Sequence, residues 1–122
     1  MHQIEVDSER GVINVVLTGM MNLADVAAYI ADVRRACVVH RLRDYAMVID
    51  VRDCPIQQQE TIRAMGEHMA SMPKARALAI VTGRSLAKMQ IRRLFTQPYA
   101  RIVDTVDQGQ AWVLRSEEPL PA

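Results

Sequence analysis

The chain lacks an excess of charge of either sign. It has 15 basic and 14 acidic residues among 122, and its formal net charge is +1. Domains whose main partner is a nucleic acid usually carry a large basic excess. The charge balance therefore argues against nucleic-acid binding as the main function, although it leaves room for a local basic patch.

Long apolar stretches are also missing. The apolar segments are short and interrupted by charged residues, and none approaches the roughly 20 residues that a transmembrane helix needs. The first residues, MHQIE, have neither the basic start nor the apolar run of a secretory signal. We therefore expect a cytoplasmic protein without a transmembrane segment.

Cysteine is represented only by Cys37 and Cys54. Two cysteines form neither a disulfide framework nor a metal motif, and the three histidines have no ligand-spaced partners, so we expect no metal and no cofactor. Cys37 lies on the apolar face of a predicted helix, which indicates a core residue. Cys54 lies in a predicted loop, where it could be exposed and reactive.

What the chain does contain is a hydrophobic content of 50%. This is enough for a proper core in one domain of ordinary size. We expect a single domain over residues 1–115. Residues 116–122, with two prolines and two glutamates, are expected to form a loose tail.

Short apolar runs predict five strands. They span residues 4–7, 12–18, 46–50, 77–81 and 100–103. The first two are joined by a turn at Gly11, which is typical of a β-hairpin. The third and fourth are continuously apolar, as in strands that are covered on both faces.

Four helices are predicted between and after these strands. They cover about 22–40, 56–72 and 86–95, and a last one begins near 107. Asn22 with Asp25 resembles a capping box for the first helix, and Asp107 with Gln110 predicts one for the last. Pro55 fits the first turn of the second helix, with Asp53 or Cys54 just outside it.

The apolar spacing also predicts which face of each helix is buried. For the first helix these residues are Leu23, Val26, Ala27, Ile30, Val33 and Cys37. For the third they are Ala87, Ile91, Leu94 and Phe95, and for the last Ala111, Trp112 and Leu114. Trp112 is expected to anchor the last helix to the sheet.

The resulting order is β-β-α-β-α-β-α-β-α. A hairpin followed by alternating helices and strands predicts an α/β fold. Its sheet is mainly parallel, with one antiparallel strand at the N-terminus, and about four helices cover it.

This pattern resembles the STAS domain superfamily and, within it, the SpoIIAA-like proteins. The likeness covers nearly the whole chain. It is carried by the strand at 46–50, the strand and turn ALAIVTG at 77–83, and AWV at 111–113, which is similar to the family's Ala-Trp-Leu ending. The resemblance implies a STAS-like fold and a non-enzymatic domain. For the SpoIIAA-like branch it also implies mobile central helices and nonpolar ligands.

One stretch departs from part of that superfamily. Its anti-sigma-factor antagonists carry a phosphorylatable Ser or Thr just after the central strand. The matching stretch here, DVRDCPI at 50–56, contains no hydroxyl residue. A phosphoryl group would add nearly two negative charges at a helix start. The resemblance therefore favours the SpoIIAA-like branch over a kinase-regulated antagonist.

The first candidate site is an apolar face of the second helix that is rich in methionine. It consists of Ile62, Met65, Met69 and Met72. Methionine adapts to varied apolar partners, and Gly66 would loosen this helix by roughly 1 kcal/mol relative to alanine. A loosely held helix could admit an apolar ligand. The alternative is ordinary core packing, which is the commoner role of such a face.

The second candidate is the turn into the third helix and the basic stripe that follows. It consists of Thr82, Gly83, Arg84, Ser85, Lys88, Arg92 and Arg93. Free amides at a helix start can bind an anion, and the cations could contact an acidic partner or anionic lipid headgroups. The alternative is that Ser85 caps the helix and that the basic face is simply solvated.

The third candidate is the group Asp50, Arg52, Asp53 and Cys54. Carboxylates beside a thiol suggest acid–base or nucleophilic chemistry. Neighbouring aspartates disfavour a thiolate, however. Helix capping by Asp53 and an ion pair with Arg52 explain these residues more simply.

The sequence thus predicts a non-enzymatic domain. It would bind a nonpolar small molecule beneath the second and third helices, or a regulatory partner protein. The alternative is an interaction module whose basic third helix contacts an acidic partner or a membrane surface peripherally. A third hypothesis is an enzyme that uses the aspartates and Cys54. A two-fold homodimer is compatible with such a small domain.

Overall fold

The computed structural model describes residues 1–119, so the last three residues of the predicted tail lie outside this part of the chain. Nine elements follow in the predicted order. They are β1 (His2–Asp7), β2 (Val12–Thr18), α1 (Leu23–Val39), β3 (Ala46–Asp53), α2 (Gln59–Ser71), β4 (Ala77–Val81), α3 (Lys88–Leu94), β5 (Ala100–Val103) and α4 (Val106–Arg115). Within residues 1–119, none of these helices has both the length and the apolarity to cross a membrane.

The five strands form one sheet in the order β1-β2-β3-β4-β5. β1 is antiparallel to β2, and the other neighbours are parallel. In register, Val15 lies opposite Ile49 and Ile49 lies opposite Ile80. This arrangement confirms the predicted α/β fold with one antiparallel strand.

The sheet is covered on both faces, and the alternation of side chains along each strand explains why. Residues such as Ile13, Met47 and Leu78 point to the face covered by α1, α2 and α3. Their neighbours Val12 and Val48 point to the other face, which α4 covers. Strands that serve two cores need apolar side chains at every position. This is why β3 and β4 are continuous apolar runs.

Helix α4 lies very close to the sheet because Gly109 faces it. A Cβ at this position would approach Val48 Cγ1 to 3.2 Å and Ala79 Cβ to 3.3 Å. Trp112 is half-buried at the same face, and its Nε1 donates to the Tyr99 carbonyl at 3.2 Å. The buried residue beside it is Val113, whereas the predicted Leu114 is exposed.

The helix starts agree with the predictions only in part. Asn22 and Asp25 form the predicted capping box of α1. At α4 the box is formed by Thr105 and Gln108, so the prediction of Asp107 and Gln110 is wrong. Both pairs have the same spacing, and the end of β5 at Val103 leaves Thr105 in the extended conformation that a cap requires.

Helix α2 begins at Gln59, three residues later than predicted, and Pro55 is not in its first turn. Asp53 is the last residue of β3, which runs three residues beyond the predicted end, so it does not cap α2. The helix starts late because Gln57, which precedes it, is hydrogen-bonded to the loop before α1 and to helix α3 instead. The predicted stop at Pro73 is correct, since Met72 is the C-cap.

The buried face of α1 is rotated relative to the prediction. Val26 and Val33 are buried as expected, but Leu23 and Ala27 are exposed. Tyr29 is fully buried instead. Its ring carries enough apolar area to occupy the centre of a core face.

Candidate functional site

Gln57 joins three segments at the edge of the sheet where the parallel strands end. Its Oε1 accepts from the Met21 amide at 2.8 Å, and its Nε2 donates to the Gly19 carbonyl at 3.1 Å. Its backbone amide and carbonyl form two 2.8 Å bonds with the Gln90 side chain. The loop before α1, the loop before α2 and helix α3 are therefore held together.

Ser85 adds a second link between two of these segments. Its Oγ donates to the Cys54 carbonyl at 2.9 Å and accepts from the Ala87 amide at 3.1 Å. The Lys88 amide donates to the Ser85 carbonyl. Ser85 therefore does not cap α3, whose N-cap is Ala87, and two of the amides near this helix start, those of Ala87 and Lys88, already have partners.

Large apolar side chains are exposed on the segments that Gln57 and Ser85 join. We call this group the carboxyl-edge surface, and it consists of Met20, Leu23, Ile56, Leu86 and Met89. Leu86 is 80% exposed and Met89 is 60% exposed. Sequence reasoning missed this group because the five residues come from three distant segments.

The predicted basic stripe lies beside the carboxyl-edge surface. Arg84 is exposed in the turn before α3, Arg92 and Arg93 are exposed on the helix, and Lys88 is half-buried. None of the four forms a salt bridge with a residue in the described range 1–119. The stripe is thus a set of cations without an ion partner among these residues.

The turn before the stripe is well packed. Thr82 is fully buried, and its amide donates to the Val103 carbonyl at 3.0 Å. Gly83 has φ +51°, and a Cβ there would lie 3.3 Å from Arg52 Cγ. Both the positive φ and the close approach of the Arg52 side chain favour glycine at this position.

A small apolar cavity of about 40 Å³ lies beneath α2 and α3. From the predicted methionine face, Ile62 and Met65 line it. Met69 packs against the core elsewhere, and Met72 lines a different cavity. The remaining lining residues are Leu17, Met21, Ile49, Val51, Cys54, Gln57, Thr61, Ala87, Gln90, Ile91, Leu94 and Phe95. The cavity is large enough for water-sized molecules only.

Asp50 and Arg52 form a two-pronged ion pair at the end of β3, with bonds of 3.0 and 2.8 Å. Partial burial by itself would raise the pKa of Asp50, but the hydrogen bonds from Arg52 outweigh it and lower this pKa below its ordinary value. The carboxylate is therefore held ionised and paired.

Cys54 is buried, so the possibility of an exposed, reactive thiol in the predicted loop is not realised. Its Sγ donates to the Leu17 carbonyl at 3.3 Å. Burial raises the pKa of this thiol; the N-terminal ammonium lowers it in part, and Asp53 and Asp50 raise it further. A thiol held in its protonated form is a poor nucleophile.

The histidines are separated in space as well as in sequence. His2 Nε2 lies 2.5 Å from Asp32 Oδ2, His40 is the exposed C-cap of α1, and His68 is buried within α2. Across residues 1–119, no three His, Cys, Asp or Glu side chains are grouped so as to hold a metal ion.

No protein-family model matches the sequence, and comparison with curated proteins finds no match. A solved structure, that of an anti-sigma factor antagonist from Mycobacterium paratuberculosis, is similar in fold. The TM-score is 0.62, the sequence identity is 14%, and the match covers 93% of this chain and 94% of that chain. Together with the order and pairing of its elements, this similarity shows that the chain has a STAS-like fold.

Proposed function

We propose that this chain is a non-enzymatic, STAS-like interaction domain that binds a partner protein through the carboxyl-edge surface. Open α/β folds bind their ligands beyond the carboxyl ends of parallel strands, which is where this surface lies. The observation that carries the proposal is the exposure of Leu86 and Met89 beside cations that have no ion partner within residues 1–119. The expected partner has an apolar surface with acidic residues at its rim.

The exposed side chains are suited to protein recognition. Apolar side chains grouped at the surface and rimmed by charge mark interaction sites, and methionine and arginine are enriched in protein interfaces. Because Gln57 and Ser85 tie the segments together, the surface is largely preformed. A preformed surface loses little conformational entropy when it binds.

The similarly folded structure supports a protein as the partner class. Its name, anti-sigma factor antagonist, describes a protein that acts on another regulatory protein. The segment between β3 and α2, residues 54–58, holds no serine or threonine here. The proposed interaction therefore does not depend on a phosphoryl switch in that segment.

The non-enzymatic part of the proposal rests on Asp50 and Cys54. Arg52 pairs with the carboxylate, and the thiol is buried and hydrogen-bonded to a backbone carbonyl. Both groups therefore have structural partners. A Cys54→Ala variant is expected to retain partner binding.

Site-specific photocrosslinking in cells tests the proposal. A photoreactive residue replaces Met89 in one variant and Val39 in another, since Val39 is equally apolar and exposed but lies at the far end of α1. We expect a discrete protein adduct from position 89 and none from position 39. The adduct should disappear when Leu86→Ser is added.

The outcomes distinguish the partner classes. Equal adducts at both positions, or adducts unaffected by Leu86→Ser, would contradict the proposal. Flotation of the purified chain with anionic vesicles, lost on Arg92→Gln and Arg93→Gln, would show instead that the surface meets a membrane. High salt should weaken membrane binding far more than an interface with an apolar centre.

The second candidate function is binding of a nonpolar small molecule beneath α2 and α3. The observation that favours it is the apolar cavity lined by Ile62 and Met65. At about 40 Å³ it is far below the roughly 300 Å³ of small-molecule sites, so α2 would have to move outward to admit a ligand. Gly66 and the lack of a side-chain cap on α2 favour such movement.

Native mass spectrometry of the chain purified from its own cells tests this candidate. A bound apolar compound that slows alkylation of Cys54, a lining residue, supports it. A clean unliganded mass, in monomer or homodimer, contradicts it. The same spectra give the oligomeric state, for which two-fold pairing remains a prediction.

A further inference from the structure

A second cavity, of about 330 Å³, lies between the C-terminal ends of α1 and α2. It is separate from the cavity beneath α2 and α3 and shares no lining residue with it. Its volume falls in the range of small-molecule sites, about 300 to 1,000 Å³. Met72, which the apolar pattern placed on the methionine face, lines this cavity.

The chain turns sharply to form one wall of the cavity. Arg41 adopts the left-handed conformation with φ 52°. The Leu42 amide then donates to the Cys37 carbonyl at 2.9 Å, and the Arg41 amide donates to the Val38 carbonyl at 3.2 Å. This Schellman turn places Leu42 and Arg43 opposite the last turns of α1.

The two hydroxyl groups of the cavity already have hydrogen-bond partners, and its thiol is neutral. The Tyr45 hydroxyl donates to the Pro73 carbonyl, and the Ser71 hydroxyl donates to the His68 carbonyl at 2.8 Å. Burial raises the pKa of the Cys37 thiol, so this thiol is protonated. The rest of the wall is formed by apolar atoms of Val38, Leu42 and Met72.

Two cations remain at the rim. Arg34 and Arg43 line the cavity and are exposed, and neither forms a salt bridge with any residue in 1–119. A guanidinium presents planar pairs of donors that match a carboxylate. The cavity therefore combines an apolar body with a rim that favours an anion.

The geometry points to a binding site for a small amphipathic carboxylate, of the medium-chain fatty acid type. Its hydrocarbon chain lies against Cys37, Leu42 and Met72, and its carboxylate pairs with Arg34 and Arg43. This site is independent of the protein-binding surface proposed above, which lies at the opposite end of α1.

Titration calorimetry with decanoate tests the charge requirement. Decyltrimethylammonium has an alkyl chain of similar length and the opposite charge, and it should bind roughly tenfold more weakly or worse. The double variant Arg34→Gln, Arg43→Gln should lose roughly tenfold or more in decanoate affinity. Arg63→Gln removes an exposed cation from α2 that lines neither cavity, and it should leave the affinity unchanged.

The two cysteines report where decanoate binds, because Cys37 lines this cavity and Cys54 lines the one beneath α2 and α3. Peptide mapping measures the rate of alkylation at each cysteine. We expect decanoate to slow alkylation of Cys37 and to leave the rate at Cys54 unchanged. Protection of Cys54 alone, an unchanged affinity in the double variant, or no binding of decanoate would each overturn the assignment. Circular dichroism of the variants confirms that they are folded.

Discussion

Tyr29 on α1 and His68 on α2 pack edge to face, with ring centroids 5.7 Å apart and an angle of 80° between the rings. Both side chains are buried. Within residues 1–119, neither the phenol oxygen nor either imidazole nitrogen has a hydrogen-bond partner. Buried polar groups without partners cost free energy. The contact between α1 and α2 is therefore weaker than its apolar area would suggest.

The first prediction concerns pH. Burial, and then the charge of Arg34, lower the pKa of His68 below its ordinary value of 6.5. The imidazole of His68 therefore binds a proton more readily in the unfolded chain than in the folded one. The contribution of His68 to stability is complete above pH 6.5 and is lost as the pH falls from 6.5 toward the pKa of the folded state. Urea unfolding at about pH 8 and about pH 5.5 measures the loss.

His68→Phe should reduce this loss of stability on acidification, because it removes the titrating group and keeps a ring of similar shape. His40→Phe alters an exposed histidine and should behave like the unmodified chain. If His68→Phe and the unmodified chain lose the same free energy of unfolding between the two pH values, His68 is not the group responsible.

The second prediction compares two tyrosines. Tyr29→Phe removes a buried hydroxyl that lacks a partner, so the free energy of unfolding should stay the same or rise by up to about 1 kcal/mol. Tyr45→Phe removes a hydroxyl that donates to the Pro73 carbonyl, and it should lower that energy by about 1 kcal/mol. Equilibrium urea denaturation measures both. Equal destabilisation by the two variants would mean that the Tyr29 hydroxyl does have a partner in solution.

The third prediction compares two helical glycines. In Gly109→Ala, the new methyl group would meet Val48 and Ala79 of the sheet, and overpacking should cost about 1 to 3 kcal/mol. In Gly66→Ala, the methyl group meets only the flexible end of Leu94, at 3.1 Å. The gain in helix propensity should exceed the cost of this contact, so the free energy of unfolding should rise by up to about 1 kcal/mol.

Thermal unfolding followed by circular dichroism distinguishes the two glycine variants. A Gly66→Ala variant that is as unstable as Gly109→Ala would show that α2 and α3 are packed too rigidly to shift. That result would also weaken the case for a ligand beneath them, since the cavity there must enlarge to hold one.

The fourth prediction concerns Arg41, which occupies the position after the α1 cap where glycine is usual. Its left-handed φ of 52° is unfavourable for a residue with a side chain. Arg41→Gly should therefore stabilise the chain by up to about 1 kcal/mol. His40→Gly, at φ −93°, should lower stability by roughly 0.5 to 1 kcal/mol because glycine loses more entropy on folding. A loss of stability in both variants would contradict the prediction.

The strands and the succession of elements along the chain were predictable because the physics is local. Residues 77–81 are apolar at every position, which only a strand between two cores requires. The Asn22–Asp25 capping box was likewise readable, since both partners lie within one helical turn. The second box was placed two residues late because Thr105 and Asp107 each have a glutamine three residues on. The end of β5 at Val103 decides which of the two pairs forms the capping box.

The errors at α2 and α1 have a different cause. Pro55 has the residue type for a first turn, but Gln57 after it bonds to the loop before α1 and to helix α3. The predicted apolar stripe of α1 omits Tyr29 because its hydroxyl is polar, although its ring is buried. In both cases tertiary contacts outweigh the local preference.

The sequence by itself determined the type and order of the elements, through the period of its apolar residues and the identity of its capping residues. Only the tertiary structure decided how the functional surfaces are composed. Gln57 joins residues 38 positions before it and 33 positions after it, and Met65 and Met72 of one helix line two different cavities. Such groupings depend on how distant segments pack in three dimensions, and no pattern along the chain encodes that packing locally.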